Sequence, residues 1–429
     1  MTGLQQPDSV QPGDSETQAS AASGNVMKHW LTPGVAGVSA ASFFSDTGHE
    51  ITTAILPSFF TATLHASAGA LGLVEGISDS FMGLAKLGTG PLANQPHRRS
   101  RLASGGYLGT AITTGLIGVT VAVWQVGLLR ALAWTSRGVR SPARDSILAE
   151  LAPHQAYGRA FGLERAGDNL GAVVGPLLAA GLVTWIGIRP TLYLAAVPGL
   201  FAVVAITFAA RAAHRNLPAA QGAIRIEFGR LRRARLLRPM VPVAAFELGN
   251  VATTLLILRA TQELQSGGLS LTGAASLAIL IYAAHNAFGA AVAAIGGHWI
   301  DRSGPRVVFA SAALLYVLAY VGFALPGQGW PLLLLAFTLA GSGIGLAETA
   351  ESTLVAKALP DDLRGSGFGL LGGVQAAGDF ASSTVVGLLY AAISPVVGFA
   401  YAAAWMVIAL IGSAGLRMSP TEGAQTSAS

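Results

Sequence analysis

Cysteine is absent from all 429 residues, which excludes disulfides, thiolate metal ligands and a cysteine nucleophile. Charge is scarce as well: Asp, Glu, Lys and Arg make up 11% of the chain against 52% apolar residues, and the mean hydropathy is +0.56. A soluble globule carries about a quarter of its residues charged. The composition therefore excludes that class and leaves an all-α polytopic membrane protein. Neither a P-loop nor an H-E-x-x-H run occurs, which argues against an enzyme, and no cofactor or resident metal is expected. The net charge of +5 does not point to nucleic acid, because the arginines fall in short connections between apolar runs.

Twelve apolar segments can be read along the chain, over 33–62, 67–92, 102–122, 125–148, 159–184, 190–211, 240–262, 272–296, 307–325, 330–356, 365–391 and 395–416. Polar, uncharged-rich ends predict disordered tails over 1–30 and 417–429. The stretch 212–239 is the only long polar connection, and it separates a six-segment unit over 31–211 from another over 240–416. Arg98, Arg99 and Arg101 follow the second segment, Arg302 and Arg306 follow the eighth, and eight arginines lie between Arg211 and Arg238. The opposite connections hold little charge, so the arginine-bearing loops and both termini are expected in the cytoplasm.

The two units repeat one another. An offset of 207 residues carries Gly90 onto Gly297, Gly138 onto Gly345, Pro153 onto Pro360, Gly158 onto Gly365 and the run Phe161-Gly162-Leu163 onto Phe368-Gly369-Leu370. A duplicated six-span unit is the layout of alternating-access transporters, with a site between the halves near the midplane.

The run Gly297-His-Trp-Ile-Asp301-Arg302-Ser-Gly304-Pro-Arg306 resembles the G-x-x-x-D-R-x-G-R loop of the major facilitator superfamily. Its first-half counterpart, GPLANQPHRR from Gly90, departs from that pattern: Asn94 and Gln95 stand where Asp and Arg are expected, with Arg98 and Arg99 retained. Gly171-Ala-Val-Val-Gly175-Pro176 is similar to the G-x-x-x-G-P motif of that superfamily's proton-coupled antiporters. Further runs, among them SFFSDTGHEITTAILPSFF and YGRAFGLERAGDNLGAVVGP, look like one bacterial subfamily of these transporters. The resemblance implies a twelve-helix transporter in the cytoplasmic (inner) membrane, with segments one, four, seven and ten around a central cavity. In the loop, glycine permits a sharp turn while Asp301 lies near a helix N-terminus and pairs with Arg302 or Arg306.

Ionisable residues inside the apolar segments mark function, since each costs roughly 2.5 kcal/mol or more at mid-bilayer. Asp46, His49 and Glu50 are spaced i, i+3, i+4 and so share one helix face. Arg130, Arg137 and Arg144 repeat every seven residues in the fourth segment, with Arg140 close to the same stripe, and depth selects Arg137 as the partner of the first-segment carboxylates. Glu75, Asp79 and Lys86 form a stripe in the second segment; with Glu164, Arg165 and Asp168 in the fifth they read as a structural charge network. Glu348 in the tenth segment is a candidate proton or cation site, with no arginine at matching depth on the seventh.

These features point to a proton-coupled secondary transporter, a monomer exporting a small organic or drug-like solute. A divalent cation carrier using Asp46, His49 and Glu50 is the alternative within transport, opposed by the nearby arginines, which repel a cation. A membrane sensor without transport is the alternative outside it.

Overall fold

A chain that crosses lipid must satisfy every backbone N–H and C=O within itself, and apolar runs of this length do so as helices. The computed structural model describes residues 30–66, 68–213, 228–234, 236–327 and 329–415, in which helix is the only regular secondary structure. The expected tails, apart from a few residues, and most of the 212–239 connection lie outside the described residues.

The first half contains α1 (Pro33–Ser58), α2 (Ala68–Thr89), α3 (Pro96–Leu116), α4 (Val123–Leu151), α5 (Tyr157–Ile186), α6 (Ile188–Leu194) and α7 (Ala196–Ala213). A short helix, α8 (Phe228–Arg233), belongs to the connection. The second half contains α9 (Leu237–Gly249), α10 (Thr253–Ser266), α11 (Leu271–Ser303), α12 (Pro305–Ala324), α13 (Trp330–Ala358), α14 (Asp361–Ala392) and α15 (Pro395–Gly412). Proline opens α1, α3, α12 and α15, where its missing N–H removes nothing. Side chains of Thr32, Ser270 and Ser394 accept the first free N–H groups of α1, α11 and α15. Gly304, at φ +80°, turns the chain between α11 and α12 in a conformation that a Cβ would strain.

The segments read as sixth and seventh are each two helices, so the twelve spans are built from fourteen. The seventh breaks after Gly249. Of the freed groups, side chains answer three: Tyr320 Oη donates to Gly249 O at 2.7 Å and accepts from Val251 N at 3.0 Å, while Ala252 N donates to Ser383 Oγ at 3.1 Å. Unwound backbone at membrane depth is tolerated where protein surrounds it in this way.

Among the described residues, eight helical stretches are long and apolar enough to cross a membrane by length and composition. The long helices outside that set, α1, α2, α4 and α14, are those that carry Asp46, Lys86, the arginine stripe and Asp379.

Packing follows the repeat. In the first half α1 lies against α5 and α7, and α4 against α2 and α3; in the second, α9 lies against α14 and α15, and α13 against α11 and α12. The halves join where α5 crosses α11 and α2 crosses α14. Small residues allow both crossings: a Cβ on Gly90 would stand 2.8 Å from Gly365 O and 2.9 Å from Gly369 Cα, and one on Gly297 would meet Gly158 O and stand 2.9 Å from Arg159 Cα. These contacts hold the halves together at the end bearing Arg98 and Arg302.

Candidate functional site: a charged cavity between two halves

Asp46 sits midway along α1, 4% exposed, and α4 runs beside it. Arg137 of α4 forks onto it, Nη1 to Oδ1 at 2.6 Å and Nη2 to Oδ2 at 2.9 Å, the geometry in which a guanidinium holds a carboxylate most firmly. Asp168 of α5 lies 3.8 Å from the same guanidinium, and Arg140 approaches Asp46 at 3.6 Å while donating to Ser45 and covering the Tyr107 ring at 3.9 Å. One turn further along α1, the His49 ring lies tilted against Trp134, centroids 4.4 Å apart, with Arg130 Nη1 3.5 Å from its Nδ1. Arg130 also donates to Thr53 Oγ1 at 3.0 Å. Glu50 is half-buried with its Cβ against Gly175 of α5. Gly171 and Gly175 bring α5 onto α1: a Cβ on Gly171 would stand 2.7 Å from Phe43 O, and one on Gly175 2.8 Å from Thr47 O. Pro176 follows within the helix.

Deeper toward the arginine-rich end, Arg144 bonds Glu164 at 2.7 Å and Asp145 at 2.9 Å, and Ser42 donates to Glu164 at 2.6 Å. Arg165 lies 3.4 Å from Glu164 and 3.7 Å from Glu348 of α13. The expectation that Glu348 has no arginine on the seventh span is met by a partner from α5 in the other half.

Of these side chains, Arg137, Arg144, Asp145, Arg165, Asp168 and Glu348 border a cavity of about 190 Å³ between the halves, while Asp46, His49, Glu50 and Arg130 lie behind that lining. Nine of its seventeen lining residues are charged: Lys86, Arg137, Arg144, Asp145, Arg165 and Asp168 from the first half, and Glu247, Glu348 and Asp379 from the second. Arg137, Arg144, Arg165 and Asp168 thus combine packing with cavity lining, and Lys86, read as part of an internal stripe, lines the cavity too. The side chains of Glu75 and Asp79 lie outside the described ones. Asn250, at the break of the seventh span, donates to Glu247 at 3.2 Å and Asp379 at 2.9 Å. Glu247, Asn250 and Asp379 were not singled out above, although a carboxylate inside an apolar run was a sufficient signal for two of them, and Gly249-Asn250 marked the break.

At the arginine-rich end the loop residues part company. Asp301 turns away from Arg302 and Arg306 and caps α5 of the other half. It accepts from Gly158 N at 2.7 Å, Arg159 N at 3.2 Å and Arg159 Nε at 2.9 Å. A carboxylate at a helix start gains from both the free N–H groups and the helix dipole, which a neighbouring loop arginine does not offer. Arg302 is exposed. Arg99 is fully buried and binds Asp361 of α14 through both Nη1 and Nη2, at 3.0 and 3.1 Å, as well as Glu150 at 3.0 Å, whereas Arg98 remains half-buried.

A bundle of twelve spans in two repeats, an interhalf cavity and glycine crossings at one end define a membrane transporter. The sequence profile of the Major Facilitator Superfamily matches residues 38–284 and 268–428. The chain belongs to that superfamily and is a multi-pass membrane transporter, not an enzyme; proteins of the family carry small molecules. It is 28% identical over 340 residues to an uncharacterised protein of Mycobacterium tuberculosis, covering 77% of this chain and 81% of that one. It is 26% identical over 297 residues to the multidrug resistance protein MdtG of Salmonella arizonae, covering 66% and 70%. The fold resembles that of a bacterial homologue of the iron transporter ferroportin in an outward-facing state, with a TM-score of 0.72 at 15% identity over 90% of this chain and 99% of that one.

Proposed function

We propose that the protein is a proton-coupled secondary transporter that works by alternating access and exports a small organic solute from a bacterial cytoplasm. The observation that carries this reading is the buried two-point pair of Asp46 with Arg137, on a guanidinium that also borders the cavity. A nearby arginine favours the ionised form of a carboxylate and removal from water favours the protonated form. A pair that separates between the inward-open and outward-open states, through rearrangement of α1 against α4 within the first half, therefore takes up a proton, and one that closes releases it. Glu50 on the same helix face is the second coupling carboxylate, and Glu348 and Asp168 are the reserve positions.

Arginine placement supports a cytoplasmic position for the loops of Arg98, Arg230 and Arg302 and for both termini; the conformation described is then sealed on the cytoplasmic side. One chain supplies both walls of the cavity, which supports a monomer as the working unit. Export is supported by the relation to MdtG and by Gly171, Gly175 and Pro176. Metal carriage by Asp46, His49 and Glu50 is disfavoured, because both oxygens of Asp46 bind Arg137 and His49 faces Arg130.

Uptake into proteoliposomes, with and without a pH gradient, tests the coupling. Asp46→Asn or Glu50→Gln is expected to lower gradient-driven accumulation at least roughly tenfold, while solute exchange at equal pH persists. Full gradient-driven transport by both variants sinks the assignment and moves coupling to Glu348 or Asp168.

A further inference from the structure

The two walls of the cavity are charged unlike each other. All four cations of the lining come from the first half, and the first-half carboxylates Asp145 and Asp168 lie beside Arg144 and Arg137 at 2.9 and 3.8 Å. The second half contributes Glu247, Glu348 and Asp379 and no cation among the described lining residues. Glu348 leans toward Arg165, while Glu247 and Asp379 lie against each other and share a neutral donor, the Asn250 amide, whose two N–H bonds go one to each. Across from them, Lys86 lays its stem along Gly372 of α14, where any Cβ would collide with it. Its ammonium group makes no hydrogen bond and no ion pair within 4 Å among the described residues, and the carboxylates that act on it, Asp379 and Glu348, are more distant, while Arg137, Arg144 and Arg165 each hold a carboxylate.

We propose that this cavity receives a small zwitterionic solute, its anionic group held by Lys86 and its ammonium group by Glu247 and Asp379. Like the transport reading, on which it rests for the role of the cavity, it concerns the solute carried between the halves. A charge held away from bulk water is costly until a counter-charge meets it. A singly charged ligand answers one wall and leaves the other unpaired, which is how buried polar sites reject an analogue lacking one group. Volume points the same way: about 190 Å³ is below the ~300–1,000 Å³ of pockets that enclose drug-sized molecules, and most of the lining is charged.

Binding to the purified full chain in lipid nanodiscs, by calorimetry without any gradient, tests the proposal. The probes are the ω-amino acids from 3-aminopropanoate to 6-aminohexanoate, the matching alkanoates and alkylammonium ions, and tetraphenylphosphonium as a lipophilic cation. One zwitterion is expected to bind at least roughly tenfold tighter than both of its singly charged counterparts. In Lys86→Gln it should bind no better than the alkylammonium ion, and in Asp379→Asn no better than the alkanoate. Equal binding by a singly charged probe, preference for tetraphenylphosphonium, or no binding by any zwitterion overturns the proposal, and the wild-type series decides even if a variant does not fold. A zwitterion that binds but is not moved by a pH gradient in proteoliposomes overturns proton coupling and leaves the charge assignment standing. Gradient-driven movement of tetraphenylphosphonium without zwitterion binding does the reverse.

Discussion

Where α11 crosses α5, Asp301 caps the incoming helix and pairs with the Arg159 side chain. At the equivalent crossing, 207 residues away in each element, Asn94 meets the second turn of α14: its Oδ1 accepts from Ser366 N at 2.9 Å and its Nδ2 donates to Ser366 Oγ at 2.7 Å. The backbone arrangement is the same, since Gly158 and Gly162 face Gly297 as Gly365 and Gly369 face Gly90. The chemistry differs at two positions together: aspartate against arginine on one side, amide against hydroxyl on the other. A change at one position alone would strand a charge, whereas the paired change leaves every donor with an acceptor. The neutral latch is accompanied by a charge moved sideways, with Arg99 reaching Asp361 and Glu150.

The feature common to both latches should matter most. A side chain at Gly297 meets backbone, Gly158 O and Arg159 Cα, which has no rotamer by which to yield. Gly297→Val is therefore expected at the upper end of overpacking costs, about 3 kcal/mol against the closed arrangement, on the order of a hundredfold in its population. The absence of native cysteine allows spin labels at cysteines replacing His97 and Ser303, whose separation reports closure. An unchanged distance distribution in Gly297→Val would mean that the crossing does not control closure.

The charged latch comes next. Asp301→Asn keeps a cap on α5 but leaves Arg159 without its carboxylate, a loss of roughly 1.5–3 kcal/mol for a charge-assisted bond. Transport should slow by about tenfold or more while solute binding stays close to wild type. The comparison itself is sharpened by Asp301→Asn combined with Arg159→Ser, which copies the Asn94–Ser366 chemistry. This double variant should recover a large part of the closure lost by the single one. A double variant worse than the single would show that the two crossings are not interchangeable.

The repeat and the spans were legible because apolar length and glycine position are written along the chain. The meeting of Asp46 with Arg137 followed from matching depths on neighbouring helices. What sequence hid was contact between the halves. Asp301 has arginines beside it in the chain, yet its partner is Arg159, which only the crossing of α5 over α11 brings near. Lys86 shares a stripe with Glu75 and Asp79, but α2 packs against α14 and turns Lys86 to the cavity. The break at Asn250 has no counterpart in α1, which runs unbroken through the equivalent position, Phe43, so the repeat concealed it.

The smallest effect is expected at the neutral latch, and its size tests whether charge sets the difference. Asn94→Ala removes both side-chain bonds to Ser366 in the second turn of α14. Loss of neutral hydrogen bonds of this kind costs about 1 kcal/mol, roughly fivefold in the closed population. Arg99 still grips Asp361 one turn earlier in α14, which limits how far the helix can swing. Asn94→Asp changes the sign: a carboxylate keeps the bond from Ser366 N and accepts from the Ser366 hydroxyl, exchanging neutral bonds for charge-assisted ones, about 0.5–1 kcal/mol toward closure. The same spin-label pair reads both variants, with Asn94→Ala broadening toward longer separations and Asn94→Asp narrowing toward the closed one. If Asn94→Ala opens the latch as far as Asp301→Asn does, the ion pair adds nothing to closure beyond the cap, and the contrast between the two crossings is one of composition alone.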